Sequence, residues 1–201
     1  MSLTSVQPRH ALVATQVVFF VCVLGCVLVD PSHQAELYGI SYYGVHAPTL
    51  PLVVVGYGVG AVGMWRAAKH VEALEVPGFL ALGLRVVSVA LPLELLTPFN
   101  HGAFFNWTHM VIGIVIGLTQ MATGTLLLLR QPRGVALVAF LVQLLGGLVA
   151  AISLPDWGFD HMLEGEMLFE LGFSGCLVLW VYLAPTKSEA LANLQNSHGG
   201  Q

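Results

Sequence analysis

VALVAFLVQLLGGLVAAISL, Val135 to Leu154, runs for 20 residues without an Asp, Glu, Lys or Arg. A helix needs about 20 apolar residues to cross the hydrocarbon of a bilayer, and a segment apolar on every side has no face to turn toward water. Working outward, five more runs of the same kind accompany it: Ala11 to Val29, Leu50 to Trp65, Gly78 to Leu96, Trp107 to Leu129 and Met167 to Ala184. Pro31, Pro77, Pro98, Pro132, Pro155 and Pro185 punctuate the breaks, where a missing N–H and a fixed φ stop a helix. The reading is all-α: a polytopic membrane helix bundle of about six transmembrane helices.

Composition agrees. The chain is 56% apolar and only 9% charged, with a mean hydropathy of +0.80, against about 25% charge in an ordinary soluble domain. Seven Lys and Arg with eleven Asp and Glu cannot cover a soluble core of this size, so lipid must stand in for that surface. A net charge of −4 without a basic stripe excludes nucleic acid as a partner. Cys22, Cys26 and Cys176 all fall inside apolar runs, where thiols behave as small buried apolar groups. The first run is longer than a signal-peptide core and continues past Cys26, so it reads as a retained helix.

Threading the runs through a bilayer in alternating directions puts Arg9, Arg66, Lys69, Arg130, Arg133 and Lys187 on one side. Asp30, Glu36, Asp156, Asp160, Glu164 and Glu166 fall on the other. By the positive-inside rule both termini are cytoplasmic and the acidic loops face outward, which fits a plasma membrane. Residues 1–10 are then a cytoplasmic N-terminal segment, 11–184 a single six-helix transmembrane domain, and 185–201 a polar, disordered cytoplasmic tail.

Small residues four apart let membrane helices approach closely. Gly56, Gly60 and Gly63 form one such face, and Gly113, Gly117 and Gly124 another, suited to packing within the bundle, to a homo-oligomer or to a membrane partner. Gln16, Gln120 and Gln143 lie within apolar runs and are expected to point inward and bond across helices, because an unpaired amide in hydrocarbon is costly.

Two charges, Arg85 and Glu94, lie inside the third run. Intramembrane charge marks function by default, although nine residues of helix separate these two by roughly 13 Å, and Arg85 is close enough to the cytoplasmic end to snorkel to headgroups. The outward side collects His33, His46, His101, His109 and His161 among its carboxylates. The candidate ligand-binding residues are therefore His33, Glu36, Ser41, His46, Glu94, His101, His109, Asp156, Asp160, His161, Glu164 and Glu170, with Arg85 as an intramembrane charge. Imidazole and carboxylate together suit a divalent metal such as zinc. No His-x3-His or His-Glu-x-x-His spacing specifies one, so no cofactor is expected. Tyr38, Tyr42, Tyr43, Phe104, Phe105, Trp107, Trp157 and Phe159 surround the same face as an interfacial aromatic belt.

Asp30-Pro31-Ser32-His33, then Ile40-Ser41-Tyr42-Tyr43-Gly44 ahead of a Gly-rich helix, and Trp180 within the last apolar run, resemble the family catalogued as domain of unknown function 998. The resemblance covers Ala11 to Ala184 and implies a six-helix prokaryotic membrane protein without assigning an activity. Absence of a Gly-x-Ser-x-Gly elbow, a phosphate loop or a dinucleotide fingerprint favours a non-enzymatic protein that binds a small polar ligand, a lipid headgroup or a partner protein at its outer face. The alternatives are a membrane-embedded metal-dependent hydrolase acting on lipid and a small transporter using Arg85 and Glu94.

Overall fold

The computed structural model of the chain describes residues 6–73, 78–130, 134–154 and 159–183. Every regular element among them is a helix: α1 (Val6–Val29), α2 (Gln34–Tyr38), α3 (Ile40–Val45), α4 (Leu50–Ala73), α5 (Gly78–Leu95), α6 (Ala103–Arg130), α7 (Gly134–Ile152) and α8 (Met162–Leu183). Five helices, α1, α4, α5, α6 and α7, are long and apolar enough to cross a membrane. With 22 residues, α8 reaches about 33 Å and is also of spanning length, but Glu164, Glu166 and Glu170 crowd its first half and set it apart from those five.

Consecutive long helices pack side by side: α1 on α4, α4 on α5, α5 on α6, with α7 and α8 forming the most extensive pair and α8 closing the bundle against α6, α1 and α2. The α7–α8 pair is antiparallel and very close. A Cβ on Gly146 would meet the backbone of Phe169 and Gly165, one on Gly165 the backbone of Ala150, and one on Gly172 the backbone of Gln143. The anticipated face on α4 packs on α1 and α5, where a Cβ on Gly63 would strike Thr15, one on Gly56 would press on Cys22 and one on Gly60 would meet Leu91; on α6 a Cβ on Gly124 would strike the Gln143 amide, while Gly117 meets nothing within 4 Å. Large aliphatic and aromatic side chains point outward along the helices, Leu28 at 84% and Phe104 at 75% exposure among them, whereas Gln120 and Gln143 are inside at 1% and 0%. That inversion belongs to a protein whose surroundings are as apolar as its core.

One end of the bundle holds the described Lys and Arg side chains. Arg85 reaches Glu72 of α4 at 2.7 Å and lies over Trp65. The other end carries the acidic loops, and there the long loop after α1 folds into two short helices that cap the bundle. Between α2 and α3, Gly39 adopts φ 66° and ψ −153°, a region open essentially to glycine alone.

Candidate functional site

At the acidic end the polar side chains sort into two populations. Those on the rim satisfy one another locally: His33 contacts Glu36, His161 Nδ1 lies 3.4 Å from Glu164 Oε1, and Asp30 holds both the Tyr42 hydroxyl, donating at 2.9 Å, and His46 Nδ1, at 2.8 Å. His101 stands edge-on to Phe105, away from these pairs, and Asp160 immediately precedes His161 ahead of α8. Asp156 lies outside the described residues. Beneath this rim Tyr43 is 1% exposed, and burial pushes its phenol up to about 12.

The second population lies deeper and draws on five elements. His109 of α6 turns Nδ1 to the carbonyl oxygens of Thr97, at 2.8 Å, and Glu94, at 3.3 Å. Two carbonyls can only accept, so Nδ1 carries the proton and a neutral ring leaves Nε2 as an acceptor. The Ser41 hydroxyl of α3 sits 2.8 Å from that nitrogen, and Glu94 Oε1 of α5 lies 3.6 Å from it, with both side chains of the Glu94–His109 pair 12% exposed. Tyr57 of α4 lines the same small cavity as Glu94 and His109.

Glu166 and Glu170, one turn apart on α8, stand at the same acidic end of the bundle. Their oxygens are held from two directions: the Ile40 N–H, at the start of α3, donates to Glu166 Oε2 at 2.6 Å, and Gln120 Nε2 of α6 donates to Glu170 Oε2 at 3.1 Å. Gly39 makes the first contact feasible, since a Cβ there would strike the Glu166 carboxylate. Gln120 Oε1 is buried and has no hydrogen-bond partner among the described residues.

Glu94 beside His109, and Glu166 and Glu170 beside the Ile40 N–H and Gln120, thus occupy the acidic end, while the Lys and Arg whose side chains are described (Arg66, Lys69, Arg85 and Arg130) belong to the opposite end. The cavity between α3, α4, α5 and α6, lined by Ser41, Tyr57, Glu94 and His109, measures about 10 Å³, room for about one water molecule. Among the described residues no three His, Cys, Asp or Glu side chains are arranged to hold a metal ion.

Of the sequence candidates, Ser41, Glu94 and His109 come together and Glu170 meets Gln120, while His33, Glu36, His46, His101, His161 and Glu164 stay on the rim. Arg85 and Glu94, on one helix, share no partner: one reaches Glu72, the other His109. Sequence reading missed Glu166 and Tyr57 as site residues and took Gln120 for packing alone. Glu166 was within reach of pattern reading, because Glu166, Glu170 and Ser174 repeat every four residues and so share one helix face; starting the last helix at Met167 left Glu166 in a loop.

The chain matches no protein-family model, no curated protein and no solved structure.

Proposed function

We propose that this chain is a multi-pass membrane protein that takes up and releases a small cation, the proton above all, at the Glu94–Glu166–Glu170 cluster. One observation carries this reading: Glu94 beside His109, and Glu166 and Glu170 beside Gln120 and the Ile40 N–H, lie at one end of the bundle, and among the described residues no Lys or Arg side chain is beside them. Carboxylates withdrawn from water need a compensating positive charge, and acids and histidines inside membrane bundles serve as proton relays. Space for about one water suits a proton or hydronium better than an organic ligand. The rim residues already engage one another, which favours the deeper cluster over the loop surface as the site. By the positive-inside rule the cluster lies in the outer half of a plasma-membrane protein with both termini cytoplasmic, and the proposed kinship with the domain of unknown function 998 family agrees with that location.

Potentiometric titration of the detergent-solubilised protein tests the reading. The wild type should bind more protons than the triple variant Glu94→Gln, Glu166→Gln, Glu170→Gln within the range where the wild type stays folded. Superimposable titrations, once the three carboxyls are removed, would reject the site.

The Ser41–His109 contact favours a second reading, a hydrolase without metal. A serine hydroxyl bonded to the acceptor nitrogen of an oriented imidazole is the pairing of an activated nucleophile. A fluorophosphonate probe should then label Ser41 in the wild type and not in His109→Gln; an unlabelled wild type would dismiss it.

A further inference from the structure

At the basic end of the bundle two cations from neighbouring helices share one indole. Lys69 Nζ of α4 lies 5.9 Å, and Arg85 Cζ of α5 lies 5.4 Å, from the centroid of the Trp65 ring, which is itself 40% exposed. Trp65 and Lys69 are four residues apart and share one face of α4. Trp65 closes the apolar run that begins at Leu50, the level at which tryptophan anchors a membrane helix between hydrocarbon and headgroups. By reaching that ring, Arg85 is held at the same depth.

Carboxylates of the protein leave most of this charge unanswered. Both Glu72 oxygens sit on one terminal nitrogen of Arg85, at 2.7 and 2.8 Å, and a guanidinium carries five N–H donors, so others remain for a second acceptor. Among the described residues Lys69 and Arg66 have no carboxylate within ion-pair distance, and three cations stand against the single Glu72. Toward the middle of the bundle the surface turns apolar. The face of α4 continues from Trp65 to Val62, 48% exposed, and to Gly58, where a Cβ would meet nothing within 4 Å; four residues beyond Arg85, α5 exposes Val89 at 52%. Cations at the headgroup level above an open apolar notch match the two halves of a phospholipid, a phosphate and an acyl chain.

We propose that this face of α4 and α5 holds one anionic glycerophospholipid, of the cytoplasmic leaflet by the positive-inside rule, with its phosphate between Lys69 and Arg85 and an acyl chain along Gly58 and Val89. The phosphate supplies the acceptor that Lys69 lacks and takes the donors that Glu72 leaves on Arg85, as basic side chains next to a membrane take anionic headgroups. A zwitterionic headgroup fits less well: its ammonium would meet three cations, and the one carboxylate nearby is already engaged by Arg85. The site lies at the end of the bundle away from the acidic cluster and stands whether or not that cluster exchanges protons.

The test reconstitutes the full chain in vesicles of phosphatidylcholine mixed with phosphatidylglycerol, one or the other dibrominated, since bromine quenches a tryptophan that its lipid touches. Trp107→Phe, Trp157→Phe and Trp180→Phe leave Trp65 as the sole emitter. Trp65 should favour phosphatidylglycerol over phosphatidylcholine at least about fivefold, the factor that one basic side chain near the membrane surface supplies. Lys69→Gln with Arg85→Gln should remove the preference; Glu72→Gln, which frees Arg85, should raise it; Arg130→Gln, at the same end on α6, should leave it unchanged. No preference at Trp65, full preference in the double variant, a lowered one in Glu72→Gln, or an equal fall in Arg130→Gln, the mark of diffuse surface charge, would each overturn the proposal. Displacement of the lipid by inorganic phosphate would do so too, by showing an anion site in place of a lipid site. Native mass spectrometry of the chain with all its tryptophans, released from detergent, gives an independent reading: one phosphatidylglycerol should stay on the wild type and be lost from the double variant, and equal retention by both would contradict the site.

Discussion

Gly172→Ala and Gly117→Ala make the same chemical change in two helices of one bundle, yet opposite effects are expected. A Cβ at position 172 would strike the Gln143 nitrogen and lie 2.5 Å from its Cα, against 3.4 Å or more for ordinary contact. Both are backbone atoms, so no rotamer relieves the clash; α7 and α8 must part by roughly 1 Å, and a gap of that size forfeits a quarter to a half of each dispersion contact it opens. Overpacking of this kind costs about 1–3 kcal/mol, while alanine regains about 1 kcal/mol over glycine in a helix. The net expectation for Gly172→Ala is therefore a loss of up to about 2 kcal/mol. At Gly117 nothing lies within 4 Å, so only the helix term acts, and a gain of up to about 1 kcal/mol is expected. Unfolding of the purified protein in mixed micelles with increasing SDS, followed by far-UV circular dichroism, measures both. Equal midpoints for the two variants, or a Gly172→Ala protein more stable than wild type, would refute the close antiparallel packing of α7 on α8.

Three further substitutions probe other parts of the molecule. Gly39→Ala forces a side chain into a glycine-only backbone region and against the Glu166 carboxylate; a loss of at least about 2 kcal/mol is expected in the same unfolding assay, and wild-type stability would contradict the capping geometry. Glu72→Gln breaks an Arg85 pair whose side chains are 41% and 40% exposed, so the change should stay under about 1 kcal/mol; a larger loss would mean that the pair is far less accessible than described. His109→Gln should loosen α3, which Ser41 ties to α6, raising hydrogen exchange at residues 40–45 while α7 and α8 keep their protection. Unaltered exchange there would show that the Ser41–His109 contact does not hold the cap.

Architecture was legible because hydrocarbon imposes so strong a constraint: an unbroken run such as Val135 to Leu154 has one reading, and helix starts at Leu50 and Gly78 fall where the apolar runs begin. The cap was not. Residues 34–45 mix polar and aromatic side chains without a period long enough to announce two helices of five and six residues, and Gly39 acquires its meaning only from the Glu166 carboxylate, which bonds the next residue, Ile40, from 126 residues further along the chain. The site was half legible. Glu94, His109 and Glu170 stand out as ionisable groups in or beside apolar runs, but which histidines descend into the bundle and which remain on the rim depends on helix rotation, which a segment apolar on every side leaves open. Glycine spacing marked a real packing face on α4, where Gly56, Gly60 and Gly63 turn to α1 and α5, but it did not single out Gly146, Gly165 and Gly172, where α7 and α8 bring backbone against backbone.

Infrared difference spectroscopy of the carboxylic acid carbonyl band, recorded on the reconstituted protein across a pH step, tests the central claim most directly. The expected result is a titrating band in the wild type that loses intensity stepwise in Glu94→Gln, Glu166→Gln and Glu170→Gln and persists in Glu36→Gln and Glu164→Gln on the rim. A band that survives all three deep substitutions, or disappears with the rim residues, would contradict a proton-exchanging cluster within the bundle.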